Sequence, residues 1–299
     1  MKIVITGALG HISKPLVTSL IADGHQVTVI SRNPDNQAAI QQLGATAAVG
    51  SVEDVDFLTQ VFTGADAVYT MVPPNNYFDH SLNLVEYYRR LGRNYATAIA
   101  AAGIKRVVNL SSIGAHLQKG NGILIGANNV EQLLNTLPAD VAITHMRPTS
   151  FYYNLFPYIH MIKSTGRITS NYAGTDLIPW VAPVDIAAAV AEELVRPFNG
   201  RDVRYVVSEE VTCDDTAATL GAAIGLPDLR WELVPDEAVT AGLIEIGMNP
   251  EIAAGLVEMY AGLHSGLLAE HYHLHKPAQF GKVKLKDFAK DFAAAYAQN

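Results

Sequence analysis

Six short runs, apolar almost throughout, punctuate the first half of the chain at residues 2–6, 26–30, 46–49, 67–71, 106–110 and 141–146. Each reads as a strand, and longer stretches of helical pattern separate them. Strands with no polar alternation belong in a sheet covered on both faces, and strands alternating with helices feed a parallel sheet through helical crossovers. The pattern predicts an α/β fold of the Rossmann type, a doubly wound parallel sheet. Such sheets bind ligands in the crevice outside the carboxyl ends of their strands, so the residues just after each run carry the functional information.

Beyond Met146 the pattern loosens into aromatic and loop-forming residues. A helix is predicted over 184–194, with Asp185 placed to cap it, and a further strand over 204–207. From Thr216 onward the chain reads as mostly helical. Residues 1–150 are expected to form the doubly wound domain, with a strand and helix added from about 183–208. Residues 151–299 are expected to form a smaller, mostly helical substrate-side lobe.

The 299 residues are 49 % hydrophobic and only 17 % charged, which excludes a disordered chain. A formal charge of -8 gives no general attraction to nucleic acid or an anionic membrane surface. Cys213 is the single cysteine, so no internal disulfide forms. The amino terminus enters a strand-like run without a signal-peptide pattern, and no apolar stretch approaches the roughly 18 to 20 residues of a membrane span. A cytoplasmic protein with a small-molecule ligand is the expectation.

The strongest motif is Gly7-Ala8-Leu9-Gly10-His11-Ile12-Ser13, set between the first strand and the helix that follows. Gly7 can turn the chain sharply, and Gly10 lets backbone N–H groups approach a pyrophosphate with no Cβ in the way. The helix amino terminus adds favourable partial positive charge, so Leu9, His11 and Ile12 should line a diphosphate. Ser13 replaces the third glycine of the pattern; it is small enough for close packing, and its hydroxyl can alternatively bond its own helix. After the second strand stand Ser31, Arg32 and Asn33, with no acid for ribose hydroxyls. This set suits the 2′-phosphate of NADP(H), leaving NAD(H) as the second choice. Ser51 is expected near the adenine, and Met71, Val72 and Pro73 near its ribose and the diphosphate.

With these motifs the sequence resembles the NmrA-like branch of the atypical short-chain dehydrogenases/reductases. The glycine loop carries the likeness, together with Ser31-Arg32, Asn109-Leu110-Ser111-Ser112, Val130-Glu131 and Arg147-Pro148-Thr149-Ser150-Phe151. The resemblance implies either NADPH-dependent reduction of quinones, dyes or related carbonyl compounds, or redox sensing through a bound dinucleotide without turnover. It also implies that a serine of the Ser111-Ser112 pair, with Pro148 and Phe151, approaches the nicotinamide, although Ser111 or Ser112 can instead cap a local turn.

The Tyr-x-x-x-Lys pair of ordinary short-chain dehydrogenases, in which lysine lowers the tyrosine pKa for proton exchange, is missing. Ile125 and Asn129 stand in its place, and Lys119 is too far upstream for helical i, i+4 pairing. Asn129 can hydrogen-bond the nicotinamide ribose or carboxamide, or simply sit on a polar helix face. Phe151 to Tyr153 offer aromatic walls for a quinone-like ring, and equally suit packing between lobes. Tyr152, Tyr77 and His80 are substitute catalytic candidates. A quinone can accept hydride and take its proton from water, whereas a nucleotide-sugar epimerase or secondary-alcohol dehydrogenase needs a placed acid/base. The run His271-Tyr272-His273-Leu274-His275 with His264 lacks a companion ligand set, so no metal is expected. The hydrophobic helices allow homodimerisation without specifying it.

Overall fold

The computed structural model describes residues 1–197 and 199–298. Each of the six apolar runs forms a strand: β1 (Lys2–Ile5), β2 (Gln26–Ser31), β3 (Thr46–Val49), β4 (Ala67–Thr70), β5 (Arg106–Leu110) and β6 (Ala142–Pro148). Between them lie α1 (Ser13–Ala22), α2 (Asn36–Gln42), α3 (Val55–Phe62), α4 (Leu84–Ala102) and α5 (Ile125–Asn135). The remaining elements are β7 (Ser150–Phe151), α6 (Tyr158–Thr165), β8 (Ile168–Ser170), β9 (Leu177–Val181), α7 (Pro183–Val195), β10 (Arg201–Val206), β11 (Glu209–Thr212), α8 (Cys213–Ile224), β12 (Trp231–Leu233), α9 (Asp236–Glu245), α10 (Pro250–His264), α11 (Glu270–Leu274) and α12 (Leu285–Gln298).

The main sheet has seven strands in the order β10-β6-β5-β4-β1-β2-β3. Every neighbouring pair in it runs parallel. The chain reverses its winding direction between β1 and β4, which opens the binding crevice of a doubly wound sheet. Successive side chains point to opposite faces of a strand, so Ile3 and Ile5 enter one core while Val4 enters the other. The first core is completed by Leu16, Val17 and Leu20 of α1 and by Ile186, Val190 and Leu194 of α7. The second takes Leu58 and Phe62 of α3, Leu91 and Tyr95 of α4, Val130 and Leu134 of α5, and Ile252 and Leu256 of α10.

Helix α4 shows how local sequence sets the boundaries. Asn83 Oδ1 accepts from the Glu86 backbone N–H at 2.9 Å, capping the start. Gly103 closes the helix at φ +69°, a left-handed conformation that costs glycine little. Asp185 behaves differently from its expected capping role. It lies in the first turn of α7 and accepts from Ser208 Oγ at 2.6 Å and from the backbone N–H groups of Lys282 and Val283 at 3.1 Å each. It therefore fastens two crossing segments to α7.

The C-terminal lobe has its own core of Tyr152, Trp180, Leu220, Trp231, Phe288 and Phe292, among others. Five short strands accompany its helices: a sheet in the order β11-β9-β7 and the pair β12-β8. Their runs of two to five residues are too brief to show a strand period in sequence. Among the described residues no single helix is long and apolar enough to cross a membrane.

Candidate functional site

The β1–α1 turn is built around Gly7, whose φ of +92° favours glycine. Space excludes a side chain there as well: a Cβ on Gly7 would lie 2.8 Å from Ser13 Oγ and 3.0 Å from Met71 Sδ. Gly10 N–H donates to Gly7 O at 3.2 Å, closing the loop ahead of α1. Ile12, the residue before α1, supplies no side-chain cap, so the helix amino terminus is not occupied by a neighbouring side chain. Ser13 does not turn its hydroxyl onto its own helix. It donates to Thr6 O at 3.1 Å and so binds helix to strand at the place the pattern reserves for glycine. Leu9 packs on the first core, while His11 is exposed.

The ends of β2 and β4 flank this turn. Ser31 is buried and its hydroxyl is engaged locally, donating to Asn33 O and accepting from Asn36 Nδ2, both at 3.0 Å. It shapes the turn that carries Arg32. Arg32 itself is exposed and forms no ion pair among the described residues. Ser51 Oγ accepts from the Glu53 N–H at 3.1 Å and orders the turn after β3. Beyond β4, Met71 N–H donates to Thr6 Oγ1 at 3.0 Å, Tyr95 OH donates to Met71 O at 2.7 Å, and Tyr87 OH to Pro73 O at 3.3 Å. The stretch Met71, Val72 and Pro73 is thus held rigidly beside Gly7.

On the other side of the crevice, Ser111 is buried and its hydroxyl donates to Glu131 Oε1 at 2.5 Å. That bond directs the hydroxyl toward α5 and gives Ser111 a local structural role. Ser112, half-buried, has no side-chain hydrogen bond among the described residues, which leaves its hydroxyl available. Glu131 also accepts from Arg147 Nε at 2.9 Å and Nη2 at 2.6 Å, forming a buried ion pair between α5 and β6. Burial alone would lower the Arg147 pKa; the hydrogen bonds and charge of Glu131 outweigh it and raise it. Pro148 O accepts from the Ile113 N–H at 2.9 Å, joining the ends of β5 and β6.

Asn129 Nδ2 is sealed from solvent and has no protein acceptor, an unusual state for a buried donor. Ile125 precedes it by one turn at the α5 start. Aromatic rings line the same crevice: His11 and Tyr153 have centroids 5.3 Å apart, and Phe151 and Tyr153 5.1 Å. Tyr152 points elsewhere. Its ring stacks between Trp180 and Phe288 and its hydroxyl meets Glu209 Oε2 at 3.3 Å, so this catalytic candidate belongs to the lobe core. Its neighbour Tyr153 faces the glycine loop instead. His80 bonds Gly247 O at 3.1 Å and serves to tie the loop after β4 to the turn before α10.

Among the described residues no group of three or more His, Cys, Asp or Glu side chains could hold a metal ion. His271 of α11 and His275 just past its end stack at 4.0 Å between centroids, and His264 pairs with Asp176 at 2.7 Å. Cys213 is buried, and desolvation pushes its thiol pKa up, the reverse of nucleophile activation.

A family model described as NAD(P)H-binding matches residues 7–151, the span from the glycine loop to Phe151. The whole fold is similar to that of an NADPH-dependent quinone oxidoreductase from Escherichia coli, with a TM-score of 0.78 at 21 % identity, covering 97 % of this chain and 98 % of the other. It is also similar to a nucleoside-diphosphate-sugar epimerase from Staphylococcus aureus, at TM-score 0.76, 18 % identity, 97 % of this chain and 100 % of the other. Triphenylmethane reductase from Citrobacter sp., solved with NADP(H), gives 0.75 at 18 % identity, over 97 % and 99 %. The residues present fit a dinucleotide: a loop that a Cβ at Gly7 would fill, an uncapped helix start and the orphaned donor of Asn129.

Three contributors escaped the sequence reading: Tyr88, Gly126 and the Glu131–Arg147 pair acting on Ser111. A Cβ on Gly126 would meet the Tyr88 ring at 2.6 Å, so the ring lies flat on α5 one residue past Ile125. No spacing rule links residues on separate helices, and the signal was confined to an otherwise unexplained helical glycine.

Proposed function

We propose that the chain is an NADP(H)-dependent oxidoreductase that reduces a quinone-like aromatic or carbonyl acceptor. The observation that carries this reading is the pairing of an aromatic wall at the glycine loop with an α5 that offers Ile125 and Asn129 where a proton-exchanging tyrosine and lysine would stand. Bound NADPH would supply hydride to the acceptor. Gly7, Gly10 and Ile12 would cradle the diphosphate, and Asn129 would orient the nicotinamide end through its unpaired amide. Phe151 and Tyr153 would hold a flat acceptor in the crevice and exclude water. Arg32, free of any acidic neighbour in an ion pair, supports NADP(H) over NAD(H) through charge-assisted bonds to a 2′-phosphate. An epimerase assignment is disfavoured because that reaction moves a hydroxyl proton and needs a placed acid/base.

The missing proton-transfer pair also favours a second reading, a dinucleotide-sensing regulator that binds without turnover. Fluorescence titration with NADPH and NADH, continued after addition of a quinone panel, separates the two. Tight NADPH binding followed by quinone-dependent decay above the protein-free rate is the result expected of the reductase. Binding without decay across the panel favours the sensor, and no binding of either cofactor overturns both.

A further inference from the structure

Three tyrosines from three separate elements lie within electrostatic reach of one another: Tyr77 from the loop after β4, Tyr88 from α4 and Tyr153 from the segment after β7. Tyr77 and Tyr88 both pack against the second core, and Tyr153 lies against His11 of the glycine loop. Tyr88 comes so close to the α5 backbone that only glycine fits at 126. All three are half-buried. Among the described residues none of their hydroxyls has a hydrogen-bond partner, yet none is sealed from solvent as the Tyr69 hydroxyl is. Unsatisfied and not fully enclosed, these hydroxyls are left available to a ligand.

We propose that Tyr77, Tyr88 and Tyr153 form a three-phenol cradle that binds the acceptor oxygen as it becomes an anion, an assignment that rests on the reductase reading above. In that reaction one NADPH, one quinone and one proton give one NADP+ and one hydroquinone. The electron pair that arrives with the hydride leaves negative charge on an acceptor oxygen, which then takes a proton from water. Phenols aimed at that oxygen stabilise the charge where it develops, as an oxyanion hole does.

Burial, reinforced by neighbouring tyrosines, pushes the Tyr153 phenol up to about 12 and raises that of Tyr88, and burial alone raises that of Tyr77. They therefore remain protonated donors at any physiological pH and cannot serve as bases. The cradle thus differs in chemistry from an activated tyrosine: Tyr88 stands on α4 with its ring against Gly126, one residue past Ile125, and it donates a hydrogen bond without giving up its proton. Such a cradle discriminates between acceptors, favouring those whose reduction leaves a localised oxyanion.

The test uses a redox-inert mimic of that anion, 4-nitrophenolate, with the protein saturated in NADP+ so that nothing turns over. Its visible band reports both binding and ionisation state. The wild-type protein is expected to take up the phenolate in preference to the neutral phenol. Tyr88→Phe and Tyr153→Phe should each weaken phenolate binding by about 10-fold or more, the value of a hydrogen bond to a charged group, and Tyr77→Phe should weaken it in the same direction. Each variant keeps its ring, so NADPH affinity and the thermal unfolding midpoint should stay at wild-type values. Unchanged phenolate affinity in all three variants, selection of the neutral phenol, or no uptake of the probe would overturn the cradle. Failure of the reductase reading shows separately, as NADPH that binds and is not consumed with any quinone.

Discussion

Replacing Glu131 by Gln would remove the charge that compensates Arg147 while leaving the side-chain volume almost unchanged. The two side chains are 4 % and 6 % exposed, and the carboxylate receives Ser111 Oγ at 2.5 Å and Arg147 at 2.9 and 2.6 Å. Adding about 1.5–3 kcal/mol for each hydrogen bond to a charge would overstate the loss, because desolvating both ions already opposes their attraction. The relevant figure is the cost of leaving one buried charge unpaired, about 3–5 kcal/mol. Unfolding entropy of roughly 2 cal/mol/K per residue over 299 residues corresponds to about 0.6 kcal/mol/K. The variant should therefore melt about 5–8 °C below wild type, and its urea midpoint should fall with an unchanged slope. The double substitution Glu131→Met with Arg147→Met removes both charges and should recover most of the loss, since well-packed apolar replacements of a buried pair are commonly neutral or better. A loss under about 1 kcal/mol in the single variant, or a double variant no more stable than the single, would refute the reasoning.

Gly7→Ala should weaken NADPH binding at least 10-fold, because the added Cβ must displace Ser13 or Met71 at a φ that alanine resists; equal affinity by fluorescence titration would show that the loop is not the diphosphate cradle. Arg32→Asp should lower NADPH affinity by about 10–100-fold relative to NADH, and an unaltered ratio would remove Arg32 from cofactor choice. Buried His145 has its pKa lowered to about 4, mainly by desolvation, so the unfolded chain takes up the proton first. Its contribution is complete above about pH 6.5 and is lost as pH falls toward 4, amounting to about 2–3 kcal/mol between pH 7 and 4.5. His145→Gln should flatten that part of the acid limb in urea titrations, and an unchanged limb would assign the acid sensitivity to other groups.

The sheet was legible because its strands are buried on both faces, which leaves them as bare apolar words in the sequence. Ile3, Val4 and Ile5 need no partner knowledge to be recognised, although they serve two different cores. The glycine loop was legible for a related reason: backbone conformation and close approach are demands that residue type alone can meet. The lobe was harder to read. Its strands of two to five residues are stabilised by neighbours distant in sequence, as where β11 pairs with β9 or β12 with β8. Residue type also failed to give orientation. Tyr152 and Tyr153 are adjacent and chemically identical, yet the turn after β7 sends one between Trp180 and Phe288 and the other toward His11.

Ser111 and Tyr88 show where function departs from motif. A serine after β5 reads either as a ligand contact or as a local cap, and the structure adds a partner neither reading named: Glu131, twenty residues on, accepts from its hydroxyl. A glycine in the first turn of α5 costs helix stability of up to about 1 kcal/mol relative to alanine. That cost acquires a purpose once Tyr88 is seen lying on it. Loss of the tyrosine and lysine from α5 removes a chemical device, while the opening at Gly126 admits a phenol from the adjoining helix. Both features fall at the start of α5, and the proposed three-phenol cradle draws on that proximity.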